Sequence, residues 1–315
     1  MAEHVRITEV GPRDGLQNEP GVIPTAEKVE LVRLLCGTGV DEVEVTSFVS
    51  PRWVPQLGDA AEVLEQMGET ATGVGPVFSA LVPNERGMQG VIDANSRARR
   101  RQVAKVSVFT AASETFCRRN TNASIDETIQ RFVPVVQQAQ QSGLRVRGYV
   151  SCVIECPFEG PIAPEAVVDV SKKLQDIGID ELDLGDTIGA GRPESISALL
   201  HAVLRHRAVD NPETFTLHMH DTFGRAADCV KAALDLGVRS FDGSVAGLGG
   251  CPYASTRGKR APGNISTQTL VRTIHDAGYR TNVNLDKLEE AGRFAMRIVG
   301  EARRRAAEAK PETSA

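Results

Sequence analysis

Short runs in which β-branched and other apolar residues alternate with polar ones recur along the whole 315-residue chain. Longer stretches with a helical apolar stripe separate them. The strand-like runs are "VRITEV" (5–10), "EVEVTSF" (42–48), "VFSALVP" (77–83), "KVSVFTA" (105–111), "RVRGYVSC" (145–152), "ELDLGD" (181–186), "TFTLHMHD" (214–221) and "SFDGSVAG" (240–247). Between the first two, "TAEKVELVRLLCGTG" (25–39) carries Val29, Leu31, Val32 and Leu35 as an apolar stripe. A second helical pattern, "SIDETIQRFVPVVQQAQQSG" (124–143), opens as a capping box from Ser124 to Glu127 and closes at Gly143. Its internal Pro134 is expected to kink it. Gly37, Gly39, Gly178 and Gly237 stand where helices need C-terminal caps.

Eight strands alternating with helices, strand first, predict an α/β fold, a closed (β/α)8 TIM barrel with additional C-terminal helices. The length suits a single barrel domain, which routinely exceeds about 200 residues. Residues 1–283 are expected to form the catalytic barrel, 284–309 a helical extension and 310–315 a disordered tail. No G-x-G-x-x-G follows the first strand, so a dinucleotide-binding fold has no positive signal.

Composition narrows the function classes. Apolar residues make up 41% and charged residues 24%, as in a soluble globular protein with a sizeable core. The formal net charge of −5 offers no general attraction to nucleic acid or anionic membranes. The run "SRARRR" (96–101) reads as a solvated surface loop. No secretory leader opens the chain, no apolar run approaches the ~18 residues of a membrane span, and "KPETSA" is not a peroxisomal signal. Six cysteines, at 36, 117, 152, 156, 229 and 251, form no dense disulfide framework. These features predict a cytoplasmic protein with free thiols and with neither nucleic-acid nor membrane partners.

In a TIM barrel the chemistry gathers at the C-terminal ends of the strands. There, "EVGPRDGLQNE" (9–19) places Arg13 and Asp14 side by side on a turn, and Glu42 and Glu44 share one strand face. The sixth strand ends at Asp186, and the seventh carries His218 and His220 two residues apart. Both imidazoles therefore point to one side and can meet one ion. A lone His-x-His is more often two ordinary hydrogen-bonded histidines, but a first-strand aspartate in a barrel tips the reading toward a metal. With oxygen and imidazole donors and no thiolate pair, Mg²⁺ or Mn²⁺ is the expected divalent cation. "CVIEC" (152–156) has neither thioredoxin-like spacing nor a second metal-binding pair, so its thiols read as structural. Cys251 differs, because it lies in the glycine-rich "AGLGGCPYASTRGKRAPGN" (246–264), a segment suited to a mobile lid. That segment is not a P-loop, since Arg260 follows Lys259 in place of Ser or Thr.

Taken together, "VGPRDGLQNE", "TSFVSPRWVPQLGDA", "RGYVSC", "LGDTIG", "HMHDTFG" and "VAGLGGCPYA" resemble the 3-hydroxy-3-methylglutaryl-CoA lyase family of metal-dependent TIM-barrel metallolyases, over about residues 5–290. The resemblance implies cleavage of a 3-hydroxyacyl-CoA to acetyl-CoA and a keto acid such as acetoacetate. It implies Asp14, His218, His220 and Asn264 as metal ligands, Arg13 as the stabiliser of the enolate oxygen and Cys251 as the catalytic thiol. Glu44 and Asp186 match acidic residues of the site, His218 a catalytic histidine, and Arg119, Asn120, Arg147 and Tyr149 the acyl-CoA contacts. It also implies a homo-oligomer. Three departures concern the substrate: the longer, basic insert "STRGKRAP", Gln268 in place of an acidic residue, and Asp183 in place of a serine beside the acyl group. The insert's Arg257, Lys259 and Arg260 are expected to meet CoA phosphates or an acidic acyl group. The competing readings are the same chemistry on another acyl-CoA such as citramalyl-CoA, an acetyl-CoA-condensing synthase, and a degenerate barrel serving as a scaffold.

Overall fold

The structure, a computed structural model, describes residues 2–68, 75–98, 102–205, 215–250 and 263–309. Eight parallel strands close into a barrel: β1 (Arg6–Glu9), β2 (Glu42–Ser47), β3 (Val77–Leu81), β4 (Lys105–Ala111), β5 (Arg145–Ser151), β8 (Glu181–Asp186), β9 (Phe215–Met219) and β10 (Ser240–Gly243). Two short strands, β6 (Glu155–Cys156) and β7 (Gly160–Pro161), form an antiparallel hairpin in the connection after β5. The barrel closes where β1 pairs with β10, Ile7 opposite Phe241 and Thr8 opposite Asp242.

Helices α1 (Thr25–Cys36), α2 (Ala60–Met67), α3 (Glu85–Arg97), α4 (Glu114–Thr121), α5 (Ile125–Gln141), α6 (Pro164–Asp176), α7 (Pro193–Arg205) and α8 (Ala226–Asp235) lie between the strands, and α9 (Thr267–Asp276) follows β10. A final long helix, α10 (Leu285–Glu308), buries Leu288, Ala291, Ala295, Ile298 and Val299. The Ser124–Glu127 capping box forms as expected. Pro134 does not break α5, which runs unbroken from Ile125 to Gln141 because Phe132, Val135, Val136 and Ala139 bury its inner face around the missing N–H. The chain turns left-handed at Gly39 (φ +88°), not at Gly37, and a Cβ there would stand 2.2 Å from the Asn282 carbonyl oxygen. The eighth barrel strand is shorter than its apolar pattern, ending at Gly243 before a tight turn over Val245–Gly247 with Ala246 at φ 56°.

Strand alternation separates two very different environments. Val43, Val45, Val106, Val108, Val146, Leu182, Leu184, Phe215 and Leu217 are buried in the apolar core that joins the barrel wall to the helices. The intervening positions fill the barrel with polar side chains instead of the branched apolar layers common in this architecture. Lys105 Nζ lies 2.5 Å from both Glu42 Oε2 and Glu181 Oε2. Arg147, 1% exposed, reaches Glu181 at 2.6 Å and donates to Thr8 Oγ1 at 3.0 Å and Asp242 Oδ1 at 3.1 Å. This polar filling explains why the strands read as alternating rather than as continuous apolar runs.

Candidate active site

The turn after β1 carries the first pair of site residues. Gly11–Gly15 forms one wide turn, in which the Gly15 N–H bonds the Val10 carbonyl at 3.2 Å. Buried Glu9 pins it from below: Oε1 accepts from the N–H groups of Gly11 and Val245, both at 2.8 Å, and Oε2 accepts from Thr267 Oγ1 at 2.6 Å. Burial outweighs these bonds and pushes the Glu9 carboxyl up to about 7.

Arg13 and Asp14 therefore project from a braced turn. Arg13 Nε donates to Glu44 Oε2 at 2.5 Å and Nη1 to Asp14 Oδ1 at 2.7 Å. Ser107 Oγ donates to the other Glu44 oxygen, and Tyr149 Oη to Glu44 Oε2 at 3.3 Å. Burial opposes ionisation of Asp14, yet Arg13, His218, His220 and the Asn264 amide together hold its carboxyl down to about 2. Asp14 is thus a permanent anion beside two imidazoles.

One donor atom from each of Asp14, His218 and His220 lies within 4.8 Å of the others. His218 and His220 come from the end of β9, and Asn264 pairs with His220 through an isolated antiparallel bridge. Asn264 Nδ2 donates to Asp14 Oδ2 at 2.8 Å and to the Leu248 carbonyl at 3.0 Å. Its Oδ1 and His220 Nδ1 are buried with no hydrogen-bond partner among the described residues. Orphaned atoms of this kind are costly unless something else binds there. One carboxylate, two imidazoles and a free amide oxygen fit a hard divalent cation. Gly249 (φ +88°) makes the close approach possible: a Cβ there would stand 2.8 Å from Asn264 Nδ2 and 3.2 Å from the Asp14 carbonyl oxygen.

Burial and the neighbouring His218 charge push His220 down to about 4, so its imidazole is neutral at ordinary pH. For His218 burial acts the same way, but the bond to Asp242 prevails and raises it. His218 Nδ1 lies 3.1 Å from Asp242 Oδ2. The cluster opens into a cavity of about 590 Å³, within the usual range for small-molecule sites. Arg13, Asp14, Tyr149, His218 and His220 line it, with Leu81, Phe109, Phe116 and Phe132 as an apolar wall and Trp53, 74% exposed, among its residues.

The other candidates distribute unevenly. Asn120 lines the cavity, whereas its neighbour Arg119 stacks over Phe158 with the guanidinium carbon 4.1 Å from the ring centroid. Glu44 and Asn264 back the cavity through Arg13 and Asp14, and Arg147, Asp183, Asp186 and Gln268 also stand apart from its lining. Arg147 and Asp183 lie below it in the barrel interior, because their strand parity and the carboxylates around them hold them there. Asp186 turns into the loop after β8 and accepts the N–H groups of Ala190 and Gly191 at 3.0 and 2.8 Å, with burial pushing its carboxyl up to about 6. Gln268 braces the chain after β10, accepting the Ala246 N–H at 3.0 Å. Cys251, Arg257, Lys259 and Arg260 lie outside the described residues. Asp242 was not singled out from the sequence. Its signal was parity, since it shares a strand face with Ser240 and stands opposite His218 in register.

The fold and this cluster define a TIM-barrel enzyme whose ionisable groups converge at the C-terminal mouth of the barrel. The HMGL-like family model matches residues 4–295, and the chain belongs to that family and is a carbon–carbon lyase. A mitochondrial hydroxymethylglutaryl-CoA lyase of Bos taurus is 46% identical over 292 residues, 93% of this chain and 85% of the relative. The hydroxymethylglutaryl-CoA lyase of Pseudomonas mevalonii is 46% identical over 91% of this chain and 90% of its own. The crystal structure of the HMG-CoA lyase from Brucella melitensis superposes with a TM-score of 0.86 at 43% identity, covering 95% of this chain and 100% of that one.

Proposed function

We propose that this protein cleaves 3-hydroxy-3-methylglutaryl-CoA to acetyl-CoA and acetoacetate with a divalent cation, Mg²⁺ or Mn²⁺, held by Asp14, His218, His220 and Asn264. The observation that carries the reading is the convergence of Asp14, His218 and His220, one donor atom each within 4.8 Å, beside Arg13 in a single cavity. When bound there, the cation would supply Lewis acidity to the substrate, making the hydroxyl proton easier to lose.

In the reaction the hydroxyl proton leaves, the bond between C2 and C3 breaks, and C3 becomes the ketone of acetoacetate. The bonding pair passes to C2 and the thioester oxygen as an enolate, and a proton delivered to C2 completes acetyl-CoA. Arg13 contributes a charge whose direction is set in advance by Glu44 and Asp14, so it needs little reorganisation as the enolate oxygen becomes negative. Tyr149, bonded to Glu44 and Asp242, keeps a neutral hydroxyl in the same wall, since burial and both carboxylates hold its proton on. Family resemblance assigns Cys251 to the proton delivered at C2. Asn120, with the apolar wall, is assigned to the CoA arm. A cytoplasmic location and a homo-oligomeric assembly belong to the same reading.

The test is to incubate purified protein with Mn²⁺ and hydroxymethylglutaryl-CoA and quantify both products by liquid chromatography and mass spectrometry. Equimolar acetyl-CoA and acetoacetate, abolished by a chelator, are expected. Cleavage of citramalyl-CoA but not of hydroxymethylglutaryl-CoA would reassign the substrate. Release of free CoA from acetyl-CoA and a 2-oxo acid would reassign the reaction to a synthase.

A further inference from the structure

We infer that Asp242 is the positioning residue of His218, and that Arg147, with Asp183, is the buried frame that fixes Asp242. This rests on the proposed metal site and adds to it residues outside the ligand set.

His218 and Asp242 are register partners on adjacent parallel strands, β9 and β10. The contact is direct, Nδ1 to Oδ2 at 3.1 Å, and the Tyr149 hydroxyl donates to the same oxygen at 3.4 Å. An imidazole whose Nδ1–H is committed to a carboxylate has its tautomer and ring orientation set, and its Nε2 lone pair is left for a metal. Among the described residues His220 lacks such a partner, its Nδ1 being buried with no hydrogen bond. Of the two imidazoles, His218 alone has a carboxylate on Nδ1 among the described residues.

Asp242 cannot swing away, because its other oxygen is held. Arg147 Nη1 donates to Asp242 Oδ1 at 3.1 Å, while Nη2 donates to Thr8 Oγ1 at 3.0 Å and pairs with Glu181 Oε1 at 2.6 Å. The guanidinium is therefore anchored from β1 and β8 and presents one edge to β10. A rigid fork with permanent charge suits this task better than a lysine would.

Asp183 completes the frame. It is fully buried, 3.4 Å from Arg147 Nη1, and donor atoms of Asp183, Asp242 and His218 lie within 4.8 Å of one another. That trio could be read as a second metal site, but Arg147 already stands against both carboxylates and fills the cationic role. Three cations, Lys105, Arg147 and the partly exposed Arg6, face four interior carboxylates, Glu42, Glu181, Asp183 and Asp242. Arg147 thus holds Asp183 and Asp242 from one side, and Asp242 faces His218 from the other.

Two measurements test this without relying on turnover. Mn²⁺ affinity, read by electron paramagnetic resonance on purified full-length protein, should fall about 10–100-fold in Asp242→Asn and in Asp242→Ala. Asp242→Glu should recover part of it, and Arg147→Lys should weaken it less than Asp242→Ala. In unmutated protein loaded with Mg²⁺, ¹⁵N histidine NMR should show His218 protonated at Nδ1 and not at Nε2, a readout that needs no variant to fold. Affinity within about two-fold of wild type in a folded Asp242→Ala, or an Nε2–H tautomer at His218, overturns the inference and leaves the metal site standing. Failure of the unmutated protein to bind Mn²⁺ overturns both.

Discussion

Arg13 Nε and Glu44 Oε2 meet at 2.5 Å across the mouth of the barrel, linking the turn after β1 to β2. The pair is buried, so neither charge is free to follow solvent, and the guanidinium is aimed before any substrate arrives. Arg13→Met should therefore lower kcat by ~100–1,000-fold with a smaller effect on KM. Steady-state kinetics decide it, and a kcat within a few-fold of wild type would remove Arg13 from the chemistry.

Metal binding should raise thermal stability, because the ligand set assembles only in the folded barrel. At Mn²⁺ about 100 times its Kd, the expected gain is about 2.7 kcal/mol, seen as a rise in Tm. His220→Ala should abolish that rise, since His220 is one of the four proposed donors and its Nδ1 is buried without a partner among the described residues. A rise of equal size in the variant would place the ion elsewhere.

Glu9 makes a pH prediction with a definite sign. Its folded-state carboxyl is raised from 4.5 to about 7, so between those values the folded protein holds a proton that the unfolded chain has released. Stability must then fall as pH rises through that window, by about 3 kcal/mol at ~1.4 kcal/mol per pH unit. Urea titrations at about pH 5 and about pH 8 should show this loss in the wild type and a smaller one in Glu9→Gln. Equal pH dependence in both would mean that another group dominates.

Gly249→Ala should damage the site through the backbone. The residue sits at φ +88°, and the new Cβ would press on Asn264 Nδ2 and the Asp14 carbonyl. The strained conformation costs about 1–3 kcal/mol, and displacement of Asn264 should weaken Mn²⁺ affinity as well. Calorimetric unfolding together with metal titration separates the two effects; intact affinity would show that Asn264 tolerates the shift.

Much of this molecule is legible along the chain. The eight barrel strands fall within a few residues of their alternating patterns, because polar interior positions against apolar outer ones write a period of two into each strand. Asp14, His218 and His220 also converge as their positions at strand ends require, since those ends share one face of any such barrel. Neighbouring positions were decided only by tertiary structure. Arg147 and Asp183 within their strands, Asp186 at the end of β8 and Gln268 in the first turn of α9 place their side chains in interior ion pairs and loop bonds away from the cavity. Asp242 stood unremarked in "SFDGSV" until barrel closure set it against His218. Local pattern determines which way a side chain leaves its own strand. What it meets depends on the height of its layer and on polar partners from strands up to about 140 residues away, such as the Thr8 hydroxyl that accepts from Arg147, and only the closed barrel brings those together.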